Sequence, residues 1–130
     1  MKTLIVEDDF TSRLFLQTVL SRYGECHIAV NGKEAVEAFR VAGEVNQRYD
    51  LICMDIMMPE MDGQAAMRAI RAQEAATGIY TKCVKIVMTT ALGDVKDVIA
   101  AFQGLCDAYL TKPISARKLM EKLRGFGLVP

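Results

Sequence analysis

Leu51-Ile52-Cys53-Met54-Asp55 is the stretch that decides the fold. Four apolar residues run without interruption and stop at an acid. A run this short and this evenly apolar reads as a parallel strand buried on both faces. Three further runs share the pattern. Leu4-Ile5-Val6 is closed by Asp8 and Asp9, Val84-Lys85-Ile86-Val87-Met88 by Thr89, and Ala108-Tyr109-Leu110 leads to Lys112. In an open α/β sheet the ligand crevice lies at the carboxyl ends of the strands. Asp8, Asp9, Asp55, Thr89 and Lys112 are therefore expected to face one another.

The segments between the strands read as helices. Residues 11–22 place Leu14, Phe15, Thr18 and Val19 on one stripe. Residues 32–42 do the same with Ala35, Val36, Phe39 and Arg40, and Asn31 is the expected N-cap. Asp62 is expected to cap a third helix facing inward with Ala65, Ala66, Ala69 and Ile70. Asp94 would cap a fourth (Val95, Val98, Ile99, Phe102) and Ser115 a fifth (Leu119, Met120, Leu123). Gly43-Glu44-Val45-Asn46 and Thr77-Gly78-Ile79-Tyr80 are the two longer joins, expected on the face away from the acids. Strand–helix alternation with short connections implies right-handed crossovers and a three-layer sandwich. The expected fold class is α/β: a doubly wound parallel sheet of five strands, order 2-1-3-4-5, flanked by five helices.

At 130 residues the chain is expected to be a single domain, 1–130, with nothing left over for an output domain. An apolar fraction of 52% supports a sizeable core. Lys plus Arg and Asp plus Glu are 16 each, so no net charge argues for nucleic acid or an anionic membrane. The basic residues Lys112, Arg117, Lys118, Lys122 and Arg124 near the C-terminus read as a solvated helix face. Cys26, Cys53, Cys83 and Cys106 form no C-x-x-C pair and read as reduced, buried small hydrophobes. No secretory signal opens the chain, and no apolar stretch nears the ~18 residues of a membrane span. A cytoplasmic location is expected.

Three carboxylates in one crevice repel one another unless a cation neutralises them. Asp8, Asp9 and Asp55 therefore read as a Mg²⁺ or Mn²⁺ site, since oxygen ligands and a shared phosphate suit such ions. A carboxylate can also form an aspartyl phosphate. Asp55 stands alone at the centre of the sheet, whereas Asp8 and Asp9 are adjacent and better suited as ligands. Asp55 is the expected acceptor, with Lys112 and Thr89 expected on the phosphoryl oxygens.

These residues resemble the receiver domains of bacterial two-component response regulators. The resemblance rests on Val6-Glu7-Asp8-Asp9, Asp55-Ile56-Met57-Met58-Pro59-Glu60-Met61-Asp62-Gly63, Met88-Thr89-Thr90-Ala91 and Ala108-Tyr109-Leu110-Thr111-Lys112-Pro113, in family order along the whole chain. It implies a flavodoxin-like (CheY-like) fold and phosphoryl transfer from a sensor histidine kinase to Asp55. It implies Mg²⁺ on Asp8, Asp9, Asp55 and the Met57 backbone carbonyl, phosphoryl contacts from Thr89 and Lys112, and a switch made of Thr89 and Tyr109. It further implies a cis Lys112–Pro113 peptide and an output surface on the fourth helix, fifth strand and fifth helix for a downstream protein. Such a domain is a phosphoacceptor that assists its own phosphorylation and dephosphorylation, not an enzyme acting on a separate substrate. Thr90, Met57 and Ala91 depart from commoner choices and bear on the lifetime of the phosphorylated state.

This chemistry admits several uses. A stand-alone, chemotaxis-type module that acts by protein contact is the first; a phosphate sink or relay intermediate is the second. A haloacid-dehalogenase-type phosphatase would need an acid two residues after its nucleophile, and Met57 stands there. A flavodoxin-like nucleotide binder would need a phosphate loop where Glu7-Asp8-Asp9 stands.

Overall fold

A computed structural model describes residues 1–58, 60–77, 83–91 and 105–130. The elements are β1 (Thr3–Val6), α1 (Phe10–Leu20) with a 3₁₀ turn at Ser21–Tyr23, β2 (Cys26–Ala29), α2 (Gly32–Glu44), β3 (Leu51–Asp55), α3 (Gly63–Thr77), β4 (Lys85–Thr90), β5 (Ala108–Thr111) and α4 (Ala116–Gly125). All pairings are parallel, and the strand order is β2-β1-β3-β4-β5, as expected. The helix expected after Asp94 lies outside the described residues.

Strand alternation divides the core into two layers. Leu4, Val6, Ile52, Met54, Ile86 and Met88 face α2 and α3. Ile5, Leu51, Cys53 and Val87 face α1 and α4. Every residue of β3 is buried, which is why its sequence runs apolar up to Asp55 rather than alternating. Fully burying side chains such as Leu51 or Ile52 stabilises the fold by about 1.5–3 kcal/mol each.

The helix starts follow local chemistry. Asn31 Oδ1 accepts from Glu34 N at 2.9 Å, Asp62 Oδ1 from Ala65 N at 2.8 Å and Ser115 Oγ from Lys118 N at 3.3 Å. The inward faces of α3 and α4 hold Ala66 and Ile70, and Leu119, Met120 and Leu123. In α1 the expected stripe is rotated: Leu16 and Leu20 are buried, while Leu14, Phe15 and Thr18 are exposed. Phe10 and Leu14 supply apolar character to the outer face, so periodicity alone selected the wrong side. In α2, Ala35 is buried and Val36 and Phe39 pack on the core, but Arg40 faces solvent and pairs with Glu37 and Glu44. Gly43 and Glu44 belong to the helix, not to a loop. Of the cysteines only Cys53 is buried; Cys26, Cys83 and Cys106 are half-buried, and all are free thiols.

Arg71 of α3 ties the amino ends of β4 and β5 together. It donates to Val84 O and Leu105 O at 2.8 Å, to Glu74 Oε1 at 2.6 Å and to Asp107 Oδ2 at 2.9 Å. Glu74 and Asp107 in turn accept from Val84 N and Ile86 N. The buried Glu74 carboxylate persists because each of its oxygens accepts a hydrogen bond, one of them from a guanidinium. No helix among the described residues is long and apolar enough to cross a membrane.

Candidate functional site

Each site residue comes from the point where a strand runs out. β1 ends at Val6, so Glu7 is the first side chain to enter the crevice. β3 ends at Asp55, whose Cα is in register with Thr89 of β4. Lys112 follows β5 and is fixed by its own backbone, since Lys112 N donates to Thr90 O at 2.7 Å. The Lys112–Pro113 peptide is cis, as the resemblance implied.

Lys112 bridges the acids. Its Nζ lies 3.0 Å from Glu7 Oε2, donates to Glu7 Oε1 at 3.2 Å and donates to Asp55 Oδ2 at 3.1 Å. Burial opposes the ammonium charge, but Glu7 and Asp55 outweigh it and hold the Lys112 pKa above its ordinary value. Asp55 Oδ1 accepts from Met57 N at 3.2 Å. Thr89 is buried, and its Oγ1 has no hydrogen-bond partner among the described residues. A buried hydroxyl left without a partner is costly.

The acidic cluster differs from expectation by one residue. The carboxylates whose oxygens lie within 4.8 Å of one another are those of Glu7, Asp8 and Asp55. Asp9 is not among them: its Oδ2 accepts from Ser12 N at 2.9 Å, which makes it the N-cap of α1. The Ser12 amide holds the Asp9 carboxyl below its ordinary range. The physical reason is the strand length. With β1 finished at Val6, residue 7 reaches the crevice and residue 9 already opens the helix.

Glu7 is not among the residues expected from the sequence, although the sequence carries a signal for it. The first polar residue after each apolar run is Asp55 for β3 and Thr89 for β4; the same count gives Glu7 for β1. Glu7 is fully buried. Burial, with Asp55 nearby, raises its pKa from 4.5 to about 7 even though Lys112 pulls the other way.

The floor of the crevice is set by Gly63. Gly63 N donates to Ile56 O at 2.9 Å, and a Cβ added there would sit 2.2 Å from the Asp55 carbonyl oxygen. Only glycine lets α3 start so close to the strand end. Met57 at the rim is exposed. Tyr109, on the outer side of β5, is 43% exposed, so its ring is turned outward.

Residues 3–124 match the family model described as response regulator receiver domain. The chain is 33% identical over 125 residues to a probable transcriptional regulator of Cyanophora paradoxa, covering 95% of this chain and 47% of that one. It is 35% identical over 135 residues to a probable histidine kinase of Oryza sativa subsp. indica, covering 96% of this chain and 13% of the other. The chain thus spans less than half the length of these curated relatives. Among solved structures it is similar to the receiver domain of a sensor histidine kinase from Pseudomonas aeruginosa PAO1, whose active-site cleft coordinates a magnesium ion. There the TM-score is 0.77 with 30% identity over 97% of both chains. It is also similar to the receiver domain of the yeast regulator Ssk1, solved with the histidine phosphotransfer protein Ypd1. That TM-score is 0.84, with 31% identity over 98% of this chain and 88% of that one. Fold, strand-end chemistry and these likenesses agree: the chain belongs to the receiver domains of two-component response regulators.

Proposed function

We propose that Asp55 is the phosphoacceptor of this receiver domain. The observation that carries this reading is the unpartnered, buried Thr89 Oγ1 beside the Asp55–Lys112 pair. A phosphoryl group on Asp55 would give Thr89 the acceptor it lacks and give Lys112 an oxygen to neutralise. An Asp55 carboxylate oxygen attacks phosphorus, the donor's P–N bond breaks, and the imidazole leaves with the electron pair. The donor is a histidine kinase or a histidine phosphotransfer protein. Leu14, exposed on α1, offers it an apolar contact.

The donor set fits a hard divalent cation. Glu7, Asp8 and Asp55 supply carboxylate oxygens within 4.8 Å of one another, and the Met57 carbonyl would complete the protein's share. Mg²⁺ or Mn²⁺ bound there would neutralise the phosphoryl oxygens during transfer. Asp9, kept as a helix cap, drops out of the ligand set.

Output follows from Thr89 moving toward the phosphate and Tyr109 turning inward, which changes the surface of β5 and α4 that a downstream protein reads. The fourth helix of the expected surface, residues 94–102, lies outside the described residues. The test is intact mass after incubation with acetyl phosphate and Mg²⁺. One added phosphate should appear in the wild type and none in folded Asp55→Asn. Labelling that persists in folded Asp55→Asn refutes the assignment.

A further inference from the structure

The crevice poses an electrostatic problem for any donor. Glu7, Asp8 and Asp55 crowd together with Asp9 beside them, and the ammonium of Lys112 is already shared between Glu7 and Asp55. An incoming phosphoryl anion meets a mouth that is negative until a cation binds, and the exposed Asp8 and Asp9 remain at its edge. Among the described residues, the other cation bonded to this stretch is Arg13. Its Nη1 donates to Glu7 O at 3.2 Å, and its guanidinium lies 5.5 Å from the centroid of the Phe10 ring. That uses one of five N–H donors and leaves the rest of the fork without a hydrogen bond among the described residues. Phe10 is 66% exposed, so core packing does not account for an aromatic at this position. A ring that seats a guanidinium does account for it, because Arg stacks on aromatic faces and a fixed planar fork grips phosphoryl oxygens.

We propose that Arg13, seated on Phe10, is the anion-receiving group at the mouth of the crevice and selects for highly charged phosphodonors. The proposal rests on the phosphoacceptor reading of Asp55. Arg13 collects the donor's phosphoryl oxygens on approach; Asp55 and Lys112 still perform the transfer. With acetyl phosphate, the bond between phosphorus and the acetyl oxygen breaks, acetate leaves with the electron pair, and the Asp55–phosphorus bond forms.

The rival explanation is that Arg13 only pins the β1–α1 turn through the Glu7 carbonyl. The full chain, Arg13→Ala, Arg13→Lys and Phe10→Ala should be labelled with acetyl phosphate and with the less charged phosphoramidate at saturating Mg²⁺. Mg²⁺ affinity should be measured separately by calorimetry. Arg13→Ala should raise the half-saturating acetyl phosphate concentration about tenfold, the scale of one charge-assisted hydrogen bond. Its maximal rate and Mg²⁺ affinity should stay within about twofold, below the scale of one such bond. The change should be smaller for phosphoramidate, Arg13→Lys should recover part of it, and Phe10→Ala should reproduce part of it. Unchanged half-saturation in Arg13→Ala overturns the proposal. So does a joint loss of maximal rate and Mg²⁺ affinity in both Arg13 variants, which is the mark of a disturbed turn. A wild-type chain that takes no phosphate at Asp55 overturns the underlying reading as well.

Discussion

Replacing Glu7 by Gln should stabilise the metal-free protein, and by an amount that depends on pH. Glu7 is fully buried, and its pKa is raised from 4.5 to about 7. The folded state therefore holds its proton more tightly than the unfolded chain does. Stability present at low pH is lost as pH rises from the unfolded value through the folded one. At ~1.36 kcal/mol per pKa unit, the buried charge costs about 3 kcal/mol at pH 8 and about 1 kcal/mol at pH 5. Glu7→Gln keeps the shape and removes the charge, so its gain over wild type should be about 2 kcal/mol larger at pH 8 than at pH 5. Urea unfolding followed by circular dichroism, in the presence of a chelator, measures this. Saturating Mg²⁺ should then shrink or reverse the gain at pH 8, because only the wild type keeps the full ligand set. An equal gain at both pH values, or a loss at pH 8 without metal, would refute the reasoning. The first result would mean that the Lys112 pair balances the burial of the charge, the second that it outweighs it.

Three other outcomes are expected. Asp8→Ala should lose Mg²⁺-dependent labelling with the fold intact, whereas Asp9→Ala should keep it and instead lower Tm by about 4 °C through the lost helix cap; calorimetry of both variants reads the contrast. Arg71→Leu should cost about 3 kcal/mol or more in urea unfolding, because it strands the Glu74 and Asp107 carboxylates and two strand-end carbonyls. Met57→Asn should shorten the lifetime of the phosphorylated state several-fold once donor is removed, by offering a polar contact to the attacking water, and decay followed by intact mass checks it.

What could be read in the sequence was what local chemistry dictates. Four of the five strands are apolar runs that each lead to a polar residue, and their order is that of a doubly wound sheet; β2, half-exposed with His27 in its middle, shows no such run. The caps at Asn31, Asp62 and Ser115 are short-range devices, visible as the first polar residue before a periodic segment. Asp55, Thr89 and Lys112 are positioned by strand ends, and the sheet brings them to one edge. Three consecutive acids defeated the same logic at β1. Glu7, Asp8 and Asp9 have similar chemistry, and only the point where the strand ends separates a buried crevice acid from a helix cap. The face of α1 was illegible for a different reason: Phe10 and Leu14 are apolar yet exposed, so the periodicity carries two overlapping signals. The Arg71 network joins residues 34 and 36 positions apart, and no local pattern announces it.

Gly63 makes the depth of Asp55 a property of a helix that supplies none of the crevice side chains. With no side chain between α3 and the Asp55 carbonyl, the helix start acts as a mechanical stop behind the strand end. An engineer raising helicity would choose Gly63→Ala, worth about 1 kcal/mol in an ordinary helix interior. Here the added methyl would have to displace the acceptor's own backbone. A screen for helix propensity alone would therefore misjudge this position, since the substitution that looks most innocuous on the helix presses on the backbone of Asp55.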